Sequence, residues 1–182
     1  MTFSGEFYHV LNRGNEKQTI FMEDENYQFF LRRFRKYVIQ GKQEVIAYCL
    51  MPNHFHLLLK ETEDDRLKET MQGLQTSYAK AVNKRFQKTG HLFQDTYKKI
   101  RIESDEQLLH LTRYIHMNPV KAGLVPHPED WPYSSYREYA GLRKGTLPKT
   151  AIILSQFPNR EAYRAFIEGG AGDKELEGLT LE

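Results

Sequence analysis

Two histidines two residues apart in an apolar run are the first side chains in this sequence that could do chemistry. Pro52-Asn53-His54-Phe55-His56-Leu57-Leu58-Leu59 closes a stretch, 45–59, that holds no Lys, Arg, Asp or Glu. Residues 45–51 and 55–59 read as two buried strands, and Pro52-Asn53 between them reads as the turn of a hairpin. Side chains alternate between the faces of a strand, so His54, His56 and Leu58 share one face and Phe55, Leu57 and Leu59 the other. Neutral imidazole is a common metal ligand, and two of them on one rigid strand suit a single divalent ion. Half-exposed sheet histidines without any ligand show the same alternation, so the pair points to a metal only if a third group joins it.

A second set lies further on. A helix read over about 105–117 has Ser104 as its N-cap, with Gln107 completing a capping-box pattern, and it ends before Pro119. Tyr114 and Asn118 are four apart and face the same way, with His110 one turn earlier; Asn118 falls at the frayed end. A tyrosine hydroxyl can attack phosphorus and form a covalent intermediate. It is a weak nucleophile and the phosphodiester is anionic, so the reaction needs a cation to polarise the phosphoryl oxygens. Two strand histidines and an amide oxygen from a nearby helix would hold Mg²⁺ or Mn²⁺, with open positions for phosphate oxygens and waters completing the octahedron. A single tyrosine on a helix is, taken alone, more often a packed core residue.

The elements that must position these groups are legible from periodicity. Residues 7–12 form a first strand, and 25–40 a helix with Tyr27, Phe30, Leu31, Phe34, Tyr37 and Val38 at helical spacing, stopped by Gly41. After the hairpin, Asp64 or Asp65 opens a second helix with the stripe Leu67, Met71, Leu74, Tyr78, Ala81, Val82 and Phe86, ending near Gly90. Residues 96–102 alternate, with Lys98, Ile100 and Ile102 on one side and Tyr97, Lys99 and Arg101 on the other. Strand, helix, strand, strand, helix, strand is the α+β split βαβ order, ferredoxin-like or RRM-like: an antiparallel sheet with two helices on one face. The tyrosine helix is an addition to that core, free to lie on the bare face that carries the histidines. Pro119 could open another short turn closed at Gly123, and Trp131-Pro132-Tyr133-Ser134-Ser135-Tyr136 is a compact aromatic segment. The chain divides into a main domain, 1–140, and an extension, 141–182, with one amphipathic stretch near 161–168 and a loose, Gly- and acid-rich end from Gly169.

Composition narrows the class. The chain has 182 residues, enough for one sizeable core, and its hydrophobic content of 40% and charged content of 27% are those of a globular protein, not a disordered one. No signal peptide is visible and the apolar run is too short for a membrane span. A lone buried Cys49 forms no internal disulfide. The cytoplasm is the expected compartment, and a monomer is favoured over a homodimer. Net charge is only +2, but Lys80, Lys84, Arg85, Lys88, Lys98, Lys99 and Arg101 face a single acid, Asp95, between positions 80 and 102. Single-stranded nucleic acid is held by a basic groove with aromatic stacking. Tyr97, Lys99 and Arg101 are expected on the histidine face for that purpose, with Lys84, Arg85 and Lys88 upstream and phosphate contacts from Arg13 and His91.

The residues carry a family resemblance. His54-Phe55-His56 matches the His-hydrophobic-His motif of HUH endonucleases, and the segment from Tyr114 to Val125, Tyr-Ile-His-Met-Asn-Pro-Val-Lys-Ala-Gly-Leu-Val, resembles the nucleophile helix of their single-tyrosine transposases. Gly90-His91-Leu92-Phe93-Gln94-Asp95 and the Trp131 segment are similar to the REP-associated tyrosine transposase branch, so the resemblance covers roughly 6–139. It implies cleavage and joining of single-stranded or hairpin DNA through a 5′-phosphotyrosine, with Tyr114 as nucleophile and His54 and His56 as metal ligands. Many relatives carry Gln four residues after the tyrosine; here Asn118 offers the same amide oxygen on a shorter arm. Two other classes fit parts of the pattern. A non-catalytic RRM-like binding module needs neither metal nor Tyr114, and a metal-dependent hydrolase would use water as its nucleophile.

Overall fold

The computed structural model describes residues 5–62, 66–170, 176, 178 and 179. Four strands, β1 (Glu6–Arg13), β2 (Gln43–Met51), β3 (His54–Glu61) and β4 (Lys98–Ile102), form one antiparallel sheet in the order β2-β3-β1-β4. Helices α1 (Asp24–Gln40) and α2 (Leu67–Phe86) cover one face. This is the split βαβ arrangement expected from the element order.

The helix face is an aromatic core. Val10, Phe55, Leu57 and Leu59 from the sheet meet Phe30, Phe34, Leu74 and Tyr78, and Tyr78 donates its hydroxyl to Ile20 O at 2.6 Å. α1 starts with a reciprocal capping box between Glu23 and Asn26. Gly73 lets the helices approach, since a Cβ there would lie 2.4 Å from the Tyr37 ring. α2 ends with its stripe at Phe86 and stops short of the expected end near Gly90: Gln87 turns left-handed at φ 52° and its N–H closes on Asn83 O. Asp64 and Asp65, expected to open this helix, lie outside the described residues.

The opposite face, expected bare, is filled. Phe7, Cys49, Met51, Leu58 and Ile102 lie on the histidine side, and leaving them in water would be costly. They are covered by α3 (Asp105–Lys121), α4 (Tyr136–Tyr139), α5 (Ala151–Leu154) and α6 (Arg160–Glu168), with Leu111, Ile115, Tyr139, Tyr163 and Ile167 in the same cluster. The Trp131 segment closes the outer edge of β2: Leu50 N–H donates to Tyr133 O at 2.9 Å and Ser135 N–H to Tyr48 O at 3.0 Å. The tail from Gly169, expected to be loose, is described at few positions, but Leu176 and Leu179 among them are buried in this cluster.

α3 also departs from expectation. Ser104 caps it, accepting from Gln107 N–H at 3.1 Å, but the helix does not end before Pro119; it runs through to Lys121. Proline loses its own bond to the preceding turn and crowds the carbonyl four residues back, but the residues after it can still bond. The ladder resumes at once, with Ala122 N–H on Asn118 O at 2.9 Å, and Gly123 at φ +70° ends the helix. Asn118 is therefore an interior residue of the helix, 8% exposed, and not a frayed terminus.

Candidate active site

The hairpin holds the two histidines at one end of the sheet. Its two-residue turn is pinned from outside: Ile20 and Phe21 N–H both donate to Pro52 O, at 2.8 and 3.0 Å, and Gly14 N–H donates to Asn53 O at 2.8 Å. His54 and His56 share a face as alternation requires, with ring centroids 5.0 Å apart and planes at 88°. His54 Nδ1 lies 2.6 Å from the Asn53 amide oxygen, an acceptor, so this nitrogen carries a proton and the neutral ring has its lone pair on Nε2. His56 is fully buried, and desolvation first, then the neighbouring His9 and His54, holds its pKa well below the usual imidazole range. It stays neutral near pH 7, the form that binds a metal.

α3 brings the second set to the first. The Tyr114 ring stands edge-to-face on His56, with centroids 5.4 Å apart and planes at 87°. One turn on, the Asn118 amide nitrogen is 3.4 Å from His56 Nε2. A further turn on, Lys121 Nζ lies 5.5 Å from the centre of the Tyr114 ring. His110 instead packs against Phe166 of α6, at 5.7 Å. The sheet alternation and the helical spacing of four thus bring Tyr114 and Asn118 to His56. Among the described residues no group of three or more His, Cys, Asp or Glu could hold a metal. Two imidazoles and an amide oxygen could supply part of a divalent-metal shell; the amide oxygen and waters suit Mg²⁺ or Mn²⁺, whereas the imidazoles are softer ligands than those ions usually take.

The expected DNA-contacting residues are scattered differently. β4 pairs Lys99 with Val10 and Arg101 with Tyr8, and both β1 partners belong to the α1–α2 side. Tyr97, Lys99 and Arg101 are therefore on the helix-covered side at the sheet edge and not on the histidine face. Tyr97 packs against the helix core, Lys99 Nζ sits 3.7 Å from Glu61, and Arg101 is 2.9 Å from Glu6. The exposed cation that β4 presents on the histidine side is Lys98, opposite Leu11, which itself pairs with His56. Alternation separates the two sets of β4, but the set expected on the histidine face lies on the other one, because the register against β1 decides the face.

Arg13 pairs with His54 across β1 and β3, and its guanidinium donates to the Gln94 side chain. With Leu11, Gln94, Asp95, Thr96 and Lys98 it lines a pocket of about 150 Å³ beside the site. His91 is exposed in the same loop, which Asn15 N–H anchors by donating to Leu92 O at 2.9 Å. Lys84, Arg85 and Lys88 are exposed at the far end of α2, where Arg85 pairs with Glu23 at 3.0 Å.

The four-strand antiparallel sheet with its helices is shared with a solved transposase structure. The solved structure of a REP-associated tyrosine transposase bound to a REP hairpin superposes with a TM-score of 0.65 at 21% identity, covering 84% of this chain and 93% of that one. The chain belongs to the IS200-like transposase family, whose pattern matches residues 2–118. A candidate REP-associated tyrosine transposase of Haemophilus influenzae is 32% identical over 104 residues, which span 51% of this chain and only 58% of that protein. The REP-associated tyrosine transposase of Escherichia coli K12 is 23% identical over 133 residues, 72% of this chain and 76% of its own length. No helix among the described residues is long and apolar enough to cross a membrane.

Proposed function

We propose that this protein cuts and joins single-stranded DNA beside hairpins, as a divalent-metal-dependent nuclease and strand transferase with Tyr114 as its nucleophile. The observation that carries the reading is the convergence of Tyr114 and Asn118, four residues apart on α3, on His56 of β3. His54, His56 and the Asn118 amide are the residues that would hold Mg²⁺ or Mn²⁺. The bound ion would polarise a non-bridging phosphate oxygen and orient the scissile bond.

The chain's own groups do the rest. The Tyr114 oxygen attacks phosphorus, the bond to the 3′-oxygen breaks, the phenolic proton passes to solvent and the departing 3′-oxygen gains one. The products are a 5′-phosphotyrosine and a free 3′-OH; when another 3′-OH attacks that phosphorus it loses its proton, the bond from phosphorus to the Tyr114 oxygen breaks, the tyrosine oxygen regains a proton and the strands are joined. Lys121 beside the ring and Lys98 and Arg13 at the edge of the site place positive charge where the phosphodiester must lie. The family, and the hairpin-bound relative in particular, supports hairpin-associated DNA as the substrate class.

Incubation with labelled hairpin DNA carrying a single-stranded flank, and with Mg²⁺ or Mn²⁺, is the direct test. A covalent protein–DNA band on a denaturing gel is expected. Cut DNA without that band would assign the attack to water, and binding without cleavage would make the protein an RRM-like binding module.

A further inference from the structure

We propose that His9 is a positioning residue that fixes the tautomer of His56, so that His56 meets a divalent cation through Nε2. The inference rests on the metal-site reading above, but its first link is a proton assignment that holds or fails without any metal.

β1 places His9 opposite Leu58 and Leu11 opposite His56, so His9 and His56 are diagonal neighbours on one face. Their rings stack with centroids 5.2 Å apart and planes at 22°, and both are fully buried. His9 Nδ1 is 2.6 Å from Leu179 O, and His9 Nε2 is 3.0 Å from His56 Nδ1. A carbonyl oxygen only accepts, so His9 Nδ1 must carry a proton. Burial favours the neutral ring, which has one N–H, so His9 Nε2 is bare. A bare nitrogen 3.0 Å from His56 Nδ1 requires that nitrogen to donate. His56, also neutral, is left with its lone pair on Nε2, the atom that faces Asn118 at 3.4 Å.

The direction of the chain of bonds is thus set from its far end: Leu179 C=O orients His9, and His9 orients His56. His54 receives the equivalent instruction from the Asn53 side-chain oxygen. Both strand histidines then present Nε2, the nitrogen further from the backbone. Metal-bound histidines are commonly fixed in this way by an acceptor on the other ring nitrogen. Here the acceptor is a second imidazole, whose own polarity is fixed by a backbone carbonyl near the C-terminus.

The experiment uses ¹⁵N-labelled protein without metal, and two-bond ¹H–¹⁵N correlations of the imidazole rings. His9 and His56 should both show a protonated Nδ1 and a bare Nε2. His56 carrying its proton on Nε2 in the wild-type protein would overturn the proposal, whatever any variant does. Mn²⁺ titration calorimetry supplies the second reading. His9→Phe keeps a ring but offers no acceptor; it should let His56 change tautomer and weaken Mn²⁺ binding by roughly 10–100-fold. His9→Gln restores an acceptor towards His56 and a donor towards Leu179 O, and should bind Mn²⁺ within a few-fold of wild type. Unchanged Mn²⁺ affinity in a folded His9→Phe variant would also overturn the proposal. Wild-type protein with the expected tautomers but no Mn²⁺ binding would count against the metal site itself and leave the proton assignment standing.

Discussion

The Asn118 amide lies 3.4 Å from His56 Nε2, one helical turn beyond Tyr114. That contact joins a helix outside the split βαβ core to the central strand pair, and it places the third candidate ligand within reach of the second. Rotation of the amide about its last torsion exchanges NH₂ for oxygen at the same point, so one side chain can meet a bare lone pair or a cation. Asn118→Ala should weaken Mn²⁺ binding by about tenfold or more, the size of effect that even outer-sphere partners produce. Titration calorimetry reads this directly; an Asn118→Ala variant with wild-type affinity would remove Asn118 from the ligand set.

His56→Ala should abolish Mg²⁺- or Mn²⁺-dependent cleavage while leaving hairpin binding largely intact. In the proposed mechanism the ring contributes a ligand, whereas phosphate contacts would come from cations elsewhere. Cleavage assays beside gel-shift titrations separate the two. Normal cutting by the variant would refute the metal assignment.

DNA binding should be steeply salt-dependent, because each neutralised phosphate releases counterions; on single strands each contact adds about 0.7 to the slope of log K against log salt. The ion pairs sort the cations. Lys98 is on the histidine side, whereas Lys99 lies against Glu61 and Arg101 against Glu6. Lys98→Gln should therefore lower both affinity and slope more than Lys99→Gln. Equal effects in titrations at three salt concentrations would show that the strand is not read through its histidine side.

Acid should destabilise the fold through its buried histidines. Burial lowers the pKa of His116 from 6.5 to about 3 and that of His9 to about 4. Below pH 6.5 the unfolded chain takes up protons that the folded protein refuses, so stability falls as pH drops from 6.5 towards 4 and 3 respectively. Each such histidine contributes up to about 1.4 kcal/mol per pH unit inside its window. His116 Nδ1 and Nε2 lie 2.6 Å from Tyr163 Oη and 2.8 Å from Ser135 Oγ, contacts that His116→Gln can partly keep. Urea unfolding at pH 7, 6, 5 and 4 should show a shallower decline in His116→Gln than in wild type. Parallel curves would mean that His116 takes up its proton in the folded state.

Local spacing carried much of the site and non-local pairing decided the rest. The alternation of His54 and His56 and the four-residue step from Tyr114 to Asn118 are properties of single elements, readable in any window that contains them. Which side of β4 faces the histidines depends on its register against β1, where Lys98 meets Leu11, and no property of β4 alone contains that. His9 went unnoticed for the same reason: it matters only once β1 is known to lie beside β3. Pro119 is a stop signal only by its local cost; the packing of α3 carries the helix past it to Lys121. The Gly- and acid-rich end looked loose by composition, yet two leucines in it, Leu176 and Leu179, are buried.

The last prediction concerns the nucleophile, which must be chosen from eleven tyrosines. Tyr27, Tyr48 and Tyr78 are buried in the core under α1 and α2, and Tyr136, Tyr139 and Tyr163 in the cluster under α3. Burial raises the pKa of all six hydroxyls, which weakens them as nucleophiles. Tyr8 donates to Glu6 at 2.6 Å, Tyr37 of α1 lies against Gly73 of α2, Tyr97 packs on the helix side, and Tyr133 stacks on Tyr27 at 3.7 Å. Of the eleven, Tyr114 alone has its ring against His56, a turn before Asn118. Tyr114→Phe keeps that edge-to-face packing and removes only the attacking oxygen. It should retain the melting temperature and hairpin affinity of wild type and lose both cleavage and the covalent adduct. An adduct that persists and maps by peptide mass spectrometry to Tyr97 or Tyr133 would keep the mechanism and move the nucleophile. Cleavage by Tyr114→Phe without any adduct would make water the nucleophile and end the transposase-type reading of this site.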